Sequence, residues 1–460
     1  MNKSIDQSAL AELRKDFRGE ILLPADPAYA EGRKAFNTMI DRHPSVIARC
    51  ADAGDIAKAI RFGRDAALEI AVRGGGHHVA GWSTTDGGLM IDLRRMNRVE
   101  IDPDARIARV QGGATWRDLV TACQPHGLAT TGGTSPSPGV AGVTLGGGWG
   151  WLARLFGLAC DNLLSVGLIT ADGKTVVASE DEHTELFWAL HGGGGNFGVA
   201  TELTLRLHSL PVATMARLVY SPDSGPEVAG RLREAVEQSS NQLCSELVYM
   251  TGPGEDIVPA HLVGTLCLQV YAFYAGTEIE AREAIEPLLK AGPVAEEIAE
   301  IPYADILNAD DVPPVFRHHS ASHHLATLSD GAIDSFCACA KDMVVPSGCL
   351  QALSTWGGEI ARSDGDWPVA GRKAAWHVYP FGLWTDPADD ERCLAWTRSL
   401  DTGMAPYAIE GSYLNVTVDE GQQRRVAGYG GEVKYRRLSQ VKRQYDPDNT
   451  FHLNHNIEPA

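Results

Sequence analysis

Apolar positions in the first 210 residues recur in two alternating spacings. The run 52–67 carries Ala and Ile at helical spacing, and the short apolar runs 69–73 and 88–93 are typical of buried strands. A further strand-like run, 106–111, leads to Thr115, where apolar residues three and four apart predict the start of an amphipathic helix. The pattern therefore predicts strands alternating with helices.

The next hundred residues continue this mixture. The runs 165–170 and 175–178 predict two strands joined by the turn 171–174, which gives a hairpin. The run 186–191 has the spacing of a helix, and 199–207 that of another strand. Together these elements predict an α+β fold.

The pattern changes after a segment rich in Pro and Gly, 210–226, which marks a predicted domain boundary. Beyond it, the strand candidates 247–251 and 263–273 precede a charged helical run, 278–289. The last fifty residues return to a compact pattern that includes a helix at 435–445. We therefore expect a second domain in the middle of the chain.

Glycine is enriched and unevenly placed. The chain has 49 glycines in 460 residues, and its clusters at 74–76, 132–133, 139–150 and 192–198 all lie in the first half. Glycine clusters beside strands let bare backbone N–H groups approach a ligand, typically one that carries phosphate. We therefore expect the first half to bind a cofactor and the middle to shape a substrate site.

Charge and composition exclude several classes of function. Lys and Arg number 40 against 59 Asp and Glu, a net charge of −19, which disfavours nucleic acid and anionic membranes as partners. No apolar run approaches the roughly 20 residues of a membrane-spanning helix, and the first residues lack a secretion signal. Nine scattered cysteines are typical of reduced thiols. These features predict a cytoplasmic protein with a small-molecule substrate.

Two motifs are weak. The segment 193–198 fits the dinucleotide pattern G-x-G-x-x-G, but a predicted helix precedes it and a predicted strand follows it, the reverse of a Rossmann site. The histidines at 318–319 and 323–324 could place two rings on one helix face for a metal. We favour solvated or substrate-facing histidines there and expect no metal.

The segment 72–81 is the stronger candidate site. A strand runs into Gly74, Gly75 and Gly76, followed by His77. The backbone amides and Arg73 could bind a pyrophosphate, and the imidazole could be bonded to a ring system. The alternative is a glycine turn with surface histidines.

Further motifs in the same order give a specific resemblance. The chain resembles the FAD-linked oxidases of the berberine-bridge-enzyme-like branch of the vanillyl-alcohol-oxidase superfamily. The motifs that carry the resemblance lie at 73–77, 133–136, 139–150, 157–162, 186–199 and 445–459.

The resemblance implies an α+β fold with a two-part FAD-binding domain of the PCMH type. Its parts are residues 1–211 and 409–460, and a substrate domain of antiparallel sheet backed by helices, 212–408, is inserted between them.

The resemblance also implies how the cofactor is held. His77 stands where relatives bond the 8α carbon of the flavin, and Ser135 stands where many carry a second, cysteinyl link. A single covalent bond through His77 is therefore expected. The other implied FAD contacts are Arg73, Gly74, Gly75, Gly76, Gly133, Thr134, Gly139, Val140, Gly142, Gly146, Gly147, Gly148, Gly150, Asp161, Asn162, Asn196, Gly198, Val199, Asn415, Asn454 and Asn456.

The implied reaction is oxidation of an alcohol, hemiacetal or amine carbon in a sugar or secondary metabolite. Hydride passes to the flavin, a base removes a proton, and dioxygen becomes hydrogen peroxide. Relatives often carry the base where this chain has Val416, so the candidates are Tyr413, Tyr379, His319 and His323, with Tyr413 preferred. Two alternatives stay open: a dehydrogenase with another acceptor, and a catalytically silent flavin-binding protein.

Overall fold

The computed structural model describes residues 6–309, 311–362 and 366–460. Within these ranges the helices are α1 (Gln7–Arg14), α2 (Tyr29–Gly32), α3 (Ala53–Asp65), α4 (Trp116–Cys123), α5 (Val140–Leu145), α6 (Ala153–Phe156), α7 (Thr184–Leu190), α8 (Gly225–Gln238), α9 (Glu278–Ala284), α10 (Glu286–Lys290), α11 (Tyr303–Ala309), α12 (Asp330–Ala340), α13 (Asp390–Met404), α14 (Gln422–Gly428) and α15 (Glu432–Tyr445).

The first sheet is mostly parallel. Its strands are β1 (Glu20–Leu22), β2 (Val46–Arg49), β3 (Ile70–Arg73) and β4 (Leu89–Asp92), in the order β1-β2-β4-β3. Only β1 runs antiparallel to its neighbour. The helix α3 connects β2 to β3, and it begins where the side chain of Asp52 accepts a hydrogen bond from the backbone N–H of Asp55.

The second sheet is antiparallel. Its strands are β5 (Val99–Asp102), β6 (Ile107–Gln111), β8 (Leu163–Ile169), β9 (Thr175–Ser179) and β10 (Val199–Arg206), in the order β5-β6-β10-β8-β9, and β7 (Leu128–Ala129) pairs separately with β11 (His208–Ser209). The predicted hairpin is confirmed, since Ile169 pairs with Thr175 across the turn.

The third sheet is an antiparallel layer of eight strands. They are β12 (Thr214–Tyr220), β13 (Leu243–Thr251), β14 (Leu266–Tyr274), β15 (Ala295–Glu300), β16 (Arg317–Ser320), β17 (His323–Leu325), β18 (Leu350–Thr355) and β19 (Trp376–Trp384). The order is β15-β12-β14-β13-β18-β19-β16, with β17 also paired to β19.

One face of the third sheet is covered by helices. A row of paired apolar residues crosses the strands and shares a core with α8, α12 and α13; the row is Leu218, Val270, Leu247, Leu353 and Val378. The predicted antiparallel sheet backed by helices is therefore confirmed, as is the mixed α and β character of the chain.

The third sheet also shares a core with the second sheet. Trp151 packs on Phe273 with ring centroids 6.4 Å apart, and Cys244 belongs to the same cluster of buried residues. Because this core crosses the expected boundaries near residues 212 and 408, the division into domains stays a prediction.

Two elements differ from the sequence-based expectation. The helix expected at 278–289 is two helices, because Pro287 opens the second one, α10. The family resemblance implies a strand that carries Tyr413 and Asn415, but this segment forms a short 3₁₀ turn at Leu414–Val416. Within the described ranges, no helix combines the length and apolar character needed to cross a bilayer.

Candidate active site

The glycine clusters at 74–76 and 139–150 pack against each other. A Cβ atom on Gly75 would lie 2.2 Å from the backbone nitrogen of Gly139, and one on Gly139 would lie 2.4 Å from that of Gly75. Gly76 adopts a φ of +79°, which glycine reaches without steric cost. The two predicted cofactor loops therefore meet backbone to backbone beside His77.

The loop at 146–150 is packed by the C-terminal segment. Gly147 lies against the ring of Tyr413, and a Cβ on Gly146 would lie 1.9 Å from Oδ1 of Asn415. A Cβ on Gly148 or Gly150 would meet protein atoms at 2.4 and 2.0 Å. These glycines were expected to make room for the cofactor. The structure corrects the reason, because each one first makes room for the protein's own chain.

His77 lies half-buried with its ring on Phe36. The ring centroids are 4.3 Å apart and the planes are inclined by 23°. Burial lowers the pKa of His77 to about 4, and the charge of Asp311 opposes this shift. The imidazole is therefore neutral near pH 7, the form in which a ring nitrogen acts as a nucleophile.

The face of the third sheet that lies opposite α8, α12 and α13 carries a polar row. Residues paired directly across strands share a face, and one row reads Arg217, Tyr271, Glu246, Ser354, His377 and His324. Tyr379 lies two residues beyond His377 on β19 and so shares that face. The sheet thus presents polar groups on the side away from α8, α12 and α13.

Tyr379 and Glu246 form a hydrogen-bonded pair on this face that can accept a proton from a substrate. The hydroxyl of Tyr379 donates to Oε1 of Glu246 at 2.6 Å, and the hydroxyl of Ser354 donates to the same oxygen at 2.6 Å. Glu246 is buried. A phenol bonded to a carboxylate can pass its proton on while accepting another. Sequence reasoning missed Glu246, although it is the only charged residue of β13.

Tyr413, the preferred base, is hydrogen-bonded within the protein. Its hydroxyl accepts hydrogen bonds from the backbone N–H groups of Gly148 and Trp149, both at 2.9 Å, and from the Asn415 amide at 3.0 Å. Burial raises the pKa of Tyr413 to about 12. These contacts hold the phenol against the glycine loop, and the role of Tyr413 as a base stays a prediction.

His319 and His323 point away from the polar face. His319 is 3.1 Å from the hydroxyl of Thr397, and Nε2 of His323 is 2.8 Å from Oδ1 of Asp401. Both partners belong to α13, on the covered side of the sheet. Of the three candidate bases on the third sheet, Tyr379 therefore lies on the polar face, whereas His319 and His323 do not.

The prediction that the histidines at 318–319 and 323–324 share a helix face is wrong. His318 and His319 lie on β16, and His323 and His324 on β17, so neighbours in sequence point to opposite faces. His318 pairs with Leu383 and lies on the polar face together with His324.

A series of ring contacts joins His77 to the polar face. The consecutive pairs, with centroid separations, are Phe36 with His318 (6.0 Å), His318 with Phe381 (4.2 Å), Phe381 with Tyr379 (6.4 Å), Tyr379 with His377 (5.0 Å) and His377 with Tyr413 (5.8 Å). The predicted flavin-linking histidine and the Tyr379–Glu246 pair therefore border the same region, between the glycine loops and the third sheet.

The guanidinium of Arg73 is hydrogen-bonded to the protein's own backbone. Its Nη1 donates to the carbonyl oxygen of Gly32 at 2.8 Å, and its Nη2 donates to that of Lys34. The residue is 1% exposed, and burial lowers the pKa of its guanidinium to about 10. Arg73 therefore anchors the loop at 32–34, and its expected pyrophosphate contact stays a prediction.

The side chains of Asp161, Asn162 and Asn196 are also engaged within the protein. Asp161 accepts two hydrogen bonds from Arg372, at 2.8 and 2.9 Å, and Oδ1 of Asn162 is 2.6 Å from the ring of His208. Both polar atoms of the Asn196 side chain are bonded to backbone groups or a tyrosine. These side chains are therefore bonded within the protein, and the expected contacts of the three residues with the cofactor stay predictions.

Gly198, Val199, Val140 and Asn415 have packing roles of the same kind. A Cβ on Gly198 would lie 2.7 Å from a backbone oxygen, and Val199 begins β10. Val140 is fully buried at the start of α5. The Asn415 amide donates to a backbone carbonyl of α5 at 2.9 Å.

Other atoms do fit a bound polar cofactor. Ser135 Oγ, Ser137 Oγ, Asn454 Oδ1 and Asn456 Oδ1 are buried without a hydrogen-bond partner among the residues that the structure describes. A buried polar atom costs free energy unless a partner satisfies it. A Cβ on Gly142 would meet no atom within 4 Å, so this side of α5 is bare.

The residues around these atoms lie close together. Gly133 and Thr134 precede Ser135 in the same loop, and a Cβ on Gly133 would have its nearest contact at 3.8 Å. At the other end of the chain, His455 packs on Trp82 with centroids 4.7 Å apart. The C-terminal segment 454–456 therefore lies beside the loop that carries His77.

Comparisons with known proteins agree with this geometry. Residues 44–179 match the family model described as FAD binding domain, and residues 412–458 match the one described as Berberine and berberine like. The chain is 32% identical over 460 residues to (R)-6-hydroxynicotine oxidase of Paenarthrobacter nicotinovorans, covering 96% of this chain and 97% of that protein.

Solved structures give the same result. The crystal structure of 6-hydroxy-D-nicotine oxidase from Arthrobacter nicotinovorans superposes with a TM-score of 0.86 and 29% identity, covering 96% of this chain and 98% of that one. Glucooligosaccharide oxidase from Acremonium strictum, described with a 6-S-cysteinyl, 8α-N1-histidyl FAD, gives 0.83 at 24% identity, with coverage of 98% and 99%. The second likeness is one of fold.

Proposed function

We propose that this chain, which belongs to the FAD-linked oxidoreductases of the berberine-bridge-enzyme-like family, is an oxidase that carries its flavin on His77 and uses the Tyr379–Glu246 pair as its base. Its substrate is a small molecule oxidised at an alcohol, hemiacetal or amine carbon, and dioxygen is the electron acceptor. The observation that carries the proposal is the series of ring contacts that connects His77 to Tyr379 through Phe36, His318 and Phe381.

The residues that fit FAD lie on both sides of the glycine loops. Ser135, Ser137, Asn454 and Asn456 offer buried polar atoms to the cofactor, and the bare side of α5 at Gly142 allows close approach. His77 supplies the covalent bond. Bound flavin provides a hydride acceptor and a route to dioxygen, neither of which amino-acid side chains supply.

The protein's own part in the reaction is to move one proton. When the substrate N–H or O–H approaches Tyr379, the phenol oxygen accepts its proton while the phenol proton passes to Oε1 of Glu246 along the 2.6 Å hydrogen bond. Ser354 stays bonded to the same carboxylate oxygen and keeps it in place. The substrate carbon is then ready to lose hydride.

Among the three substrate types we favour an amine. The buried carboxylate of Glu246 and the ring of Tyr379 share one face, a combination that attracts an ammonium group before it is deprotonated. The relative from Paenarthrobacter nicotinovorans is named for 6-hydroxynicotine, which supports the same choice.

A single covalent bond to the flavin is part of the proposal. Ser135 stands where relatives with two bonds carry a cysteine, and its hydroxyl is buried without a partner among the described residues. A hydroxyl at this place donates a hydrogen bond to the cofactor instead of forming a thioether.

The test is acid precipitation of the purified protein beside His77→Ala. We expect yellow colour in the wild-type pellet and in the mutant supernatant. A wild-type protein that stays colourless after incubation with FAD contradicts the proposal.

A panel of amines, alcohols and sugars then separates the remaining alternatives. Peroxide release under air identifies an oxidase. Flavin reduction without peroxide identifies a dehydrogenase with another acceptor, and flavin that no compound reduces identifies a silent flavin-binding protein.

A further inference from the structure

The loop 32–37 wraps around His77 and is not part of any motif recognised in the sequence. Phe36 covers one side of the His77 imidazole, with centroids 4.3 Å apart and planes inclined by 23°. Phe36 is itself only 6% exposed, and its other neighbour is the ring of His318. One side of the imidazole is therefore fixed by a buried ring.

The same loop holds the backbone on both sides of His77. The N–H of Phe36 donates to the carbonyl oxygen of Gly76 at 3.3 Å. The side-chain amide of Asn37 donates to the carbonyl oxygen of Val79 at 2.8 Å. Phe36 and Asn37 thus bind the backbone on both sides of His77, at Gly76 before it and at Val79 after it.

Asn37 ties this bracket to the third sheet. Its Oδ1 accepts the N–H of His318 at 2.9 Å, and its Nδ2 donates to the carbonyl oxygen of His318 at 2.9 Å. A reciprocal pair of this kind fixes both position and orientation. The backbone next to Phe36 is therefore held in register with β16.

Arg73 holds the loop from behind. Its guanidinium donates to the carbonyl oxygens of Gly32 and Lys34, just before Phe36 in the chain. These contacts explain why a charged residue is buried four residues before His77: it fixes the loop that covers the imidazole.

We propose that the loop 32–37 is a template that positions His77 for covalent attachment of the flavin, with Phe36 as the positioning residue. The inference rests on the proposed link through His77. In the attachment step a bond forms between a ring nitrogen of His77 and the flavin 8α carbon while a C–H bond of that carbon breaks. The proton leaves to solvent, and the electron pair stays on the flavin, which is reduced by two electrons; dioxygen then takes both electrons and becomes hydrogen peroxide.

Positioning matters for this step because the nucleophile is weak and must meet one carbon. Stacking on Phe36 restricts rotation of the His77 imidazole about its side-chain torsions. Fewer encounters between its ring nitrogen and the flavin 8α carbon are therefore unproductive. The low pKa of His77, caused by burial, supports this role because the ring stays unprotonated.

The experiment measures attachment separately from binding. The protein is purified with its flavin, incubated with added FAD, and sampled over time for flavin that stays with the acid precipitate, relative to total bound flavin. The variants are Phe36→Leu, which keeps an apolar side chain without a ring, and Phe36→Tyr, which restores the ring. Phe62→Leu is the matched control, because Phe62 is also 6% exposed but belongs to the core around α3.

We expect Phe36→Leu to slow covalent attachment on the order of tenfold or more while it still binds FAD. Phe36→Tyr should attach flavin at nearly the wild-type rate, and Phe62→Leu should not slow attachment. The proposal is overturned if Phe36→Leu attaches flavin as fast as wild type, if Phe62→Leu slows it equally, or if Phe36→Leu binds no flavin at all.

His77→Ala separates this proposal from the proposed function. If acid-stable flavin persists in His77→Ala, the link lies elsewhere and the proposed function fails with the template. If it disappears there but attaches normally in Phe36→Leu, only the template fails.

Discussion

Tyr379 and Tyr413 both contact the ring of His377, yet their hydroxyl groups do opposite things. Tyr379 donates to a carboxylate, so electron density moves onto its oxygen and makes it a better proton acceptor. Tyr413 accepts hydrogen bonds from Gly148, Trp149 and an amide side chain, which occupy its lone pairs. Hydrogen-bond direction, rather than residue type, is therefore the observation on which we propose Tyr379 and not Tyr413 as the base.

We expect Tyr379→Phe and Glu246→Gln each to slow reduction of the flavin about 10²- to 10⁴-fold, the usual contribution of general base catalysis. Neither change removes an atom that fits FAD, so flavin content should stay at the wild-type level. The measurement is the rate of flavin reduction by the best substrate of the panel, without oxygen, in a stopped-flow instrument.

Tyr413→Phe is the matched control for this prediction. It removes the hydroxyl that accepts from the backbone N–H groups of Gly148 and Trp149, while the Asn415 amide keeps its bond to Val143, so it should lower the free energy of unfolding by about 1–3 kcal/mol. Its rate of flavin reduction should fall much less than that of Tyr379→Phe. Equal reduction rates in Tyr379→Phe and wild type would remove Tyr379 from the mechanism.

The sequence could nominate Tyr379 and Tyr413 but not choose between them. Tyr413 was preferred because of its place in a motif, and motif position carries no information on which way a hydroxyl points. Glu246 could have been noticed as a lone charge in an apolar strand. Its partner, Tyr379, lies 133 residues away in sequence, and only the strand order β13-β18-β19 brings them together.

At the scale of elements, the third sheet has two buried faces of different chemistry. The row from Leu218 to Val378 contacts helices, and the neighbouring row from Arg217 to His377 faces the glycine loops. Strands buried on both sides do not show a simple alternation of polar and apolar residues. The sequence therefore predicted strands here but not which face each side chain occupies.

The short helix α5 provides a test of where the cofactor passes. Gly142 and Gly230 both lie inside helices, and a Cβ on either would meet no atom within 4 Å. Alanine is favoured over glycine in a helix by about 1 kcal/mol. Both Gly142→Ala and Gly230→Ala should therefore raise or preserve the melting temperature of the flavin-free protein.

The two variants should differ in flavin content. If FAD lies against α5, the new methyl group of Gly142→Ala occupies its space and lowers the ratio of flavin to protein, whereas Gly230→Ala in α8 does not. The measurement is the absorbance at flavin and protein wavelengths after identical purification. Wild-type flavin content in Gly142→Ala would show that the bare side of α5 does not contact the cofactor.

At the scale of the whole molecule, segments from the first and the last tenth of the sequence meet at the site. The loop 32–37 covers His77, and the segment 454–456 lies beside it through the packing of His455 on Trp82. Local patterns predicted half of the helices and strands of the first half, among them α3, β8 and β10, because each depends on neighbours in sequence. They could not predict these long-range contacts, nor that Arg73, Asp161 and Asn196 would be bonded to the protein itself.

Four histidines buried across the molecule predict how its stability depends on pH. Burial lowers the pKa of His191, His318, His324 and His455 to about 4, whereas each has a pKa of about 6.5 when unfolded. Above pH 6.5 both states are neutral. Between pH 6.5 and 4 only the unfolded chain takes up protons, so stability falls with falling pH by up to about 1.4 kcal/mol per pH unit for each histidine. Urea unfolding between pH 7.5 and 5 should show this loss, and His191→Phe should make it less steep by about one proton. An equal slope in His191→Phe and wild type would mean that His191 takes up its proton in the folded state as well.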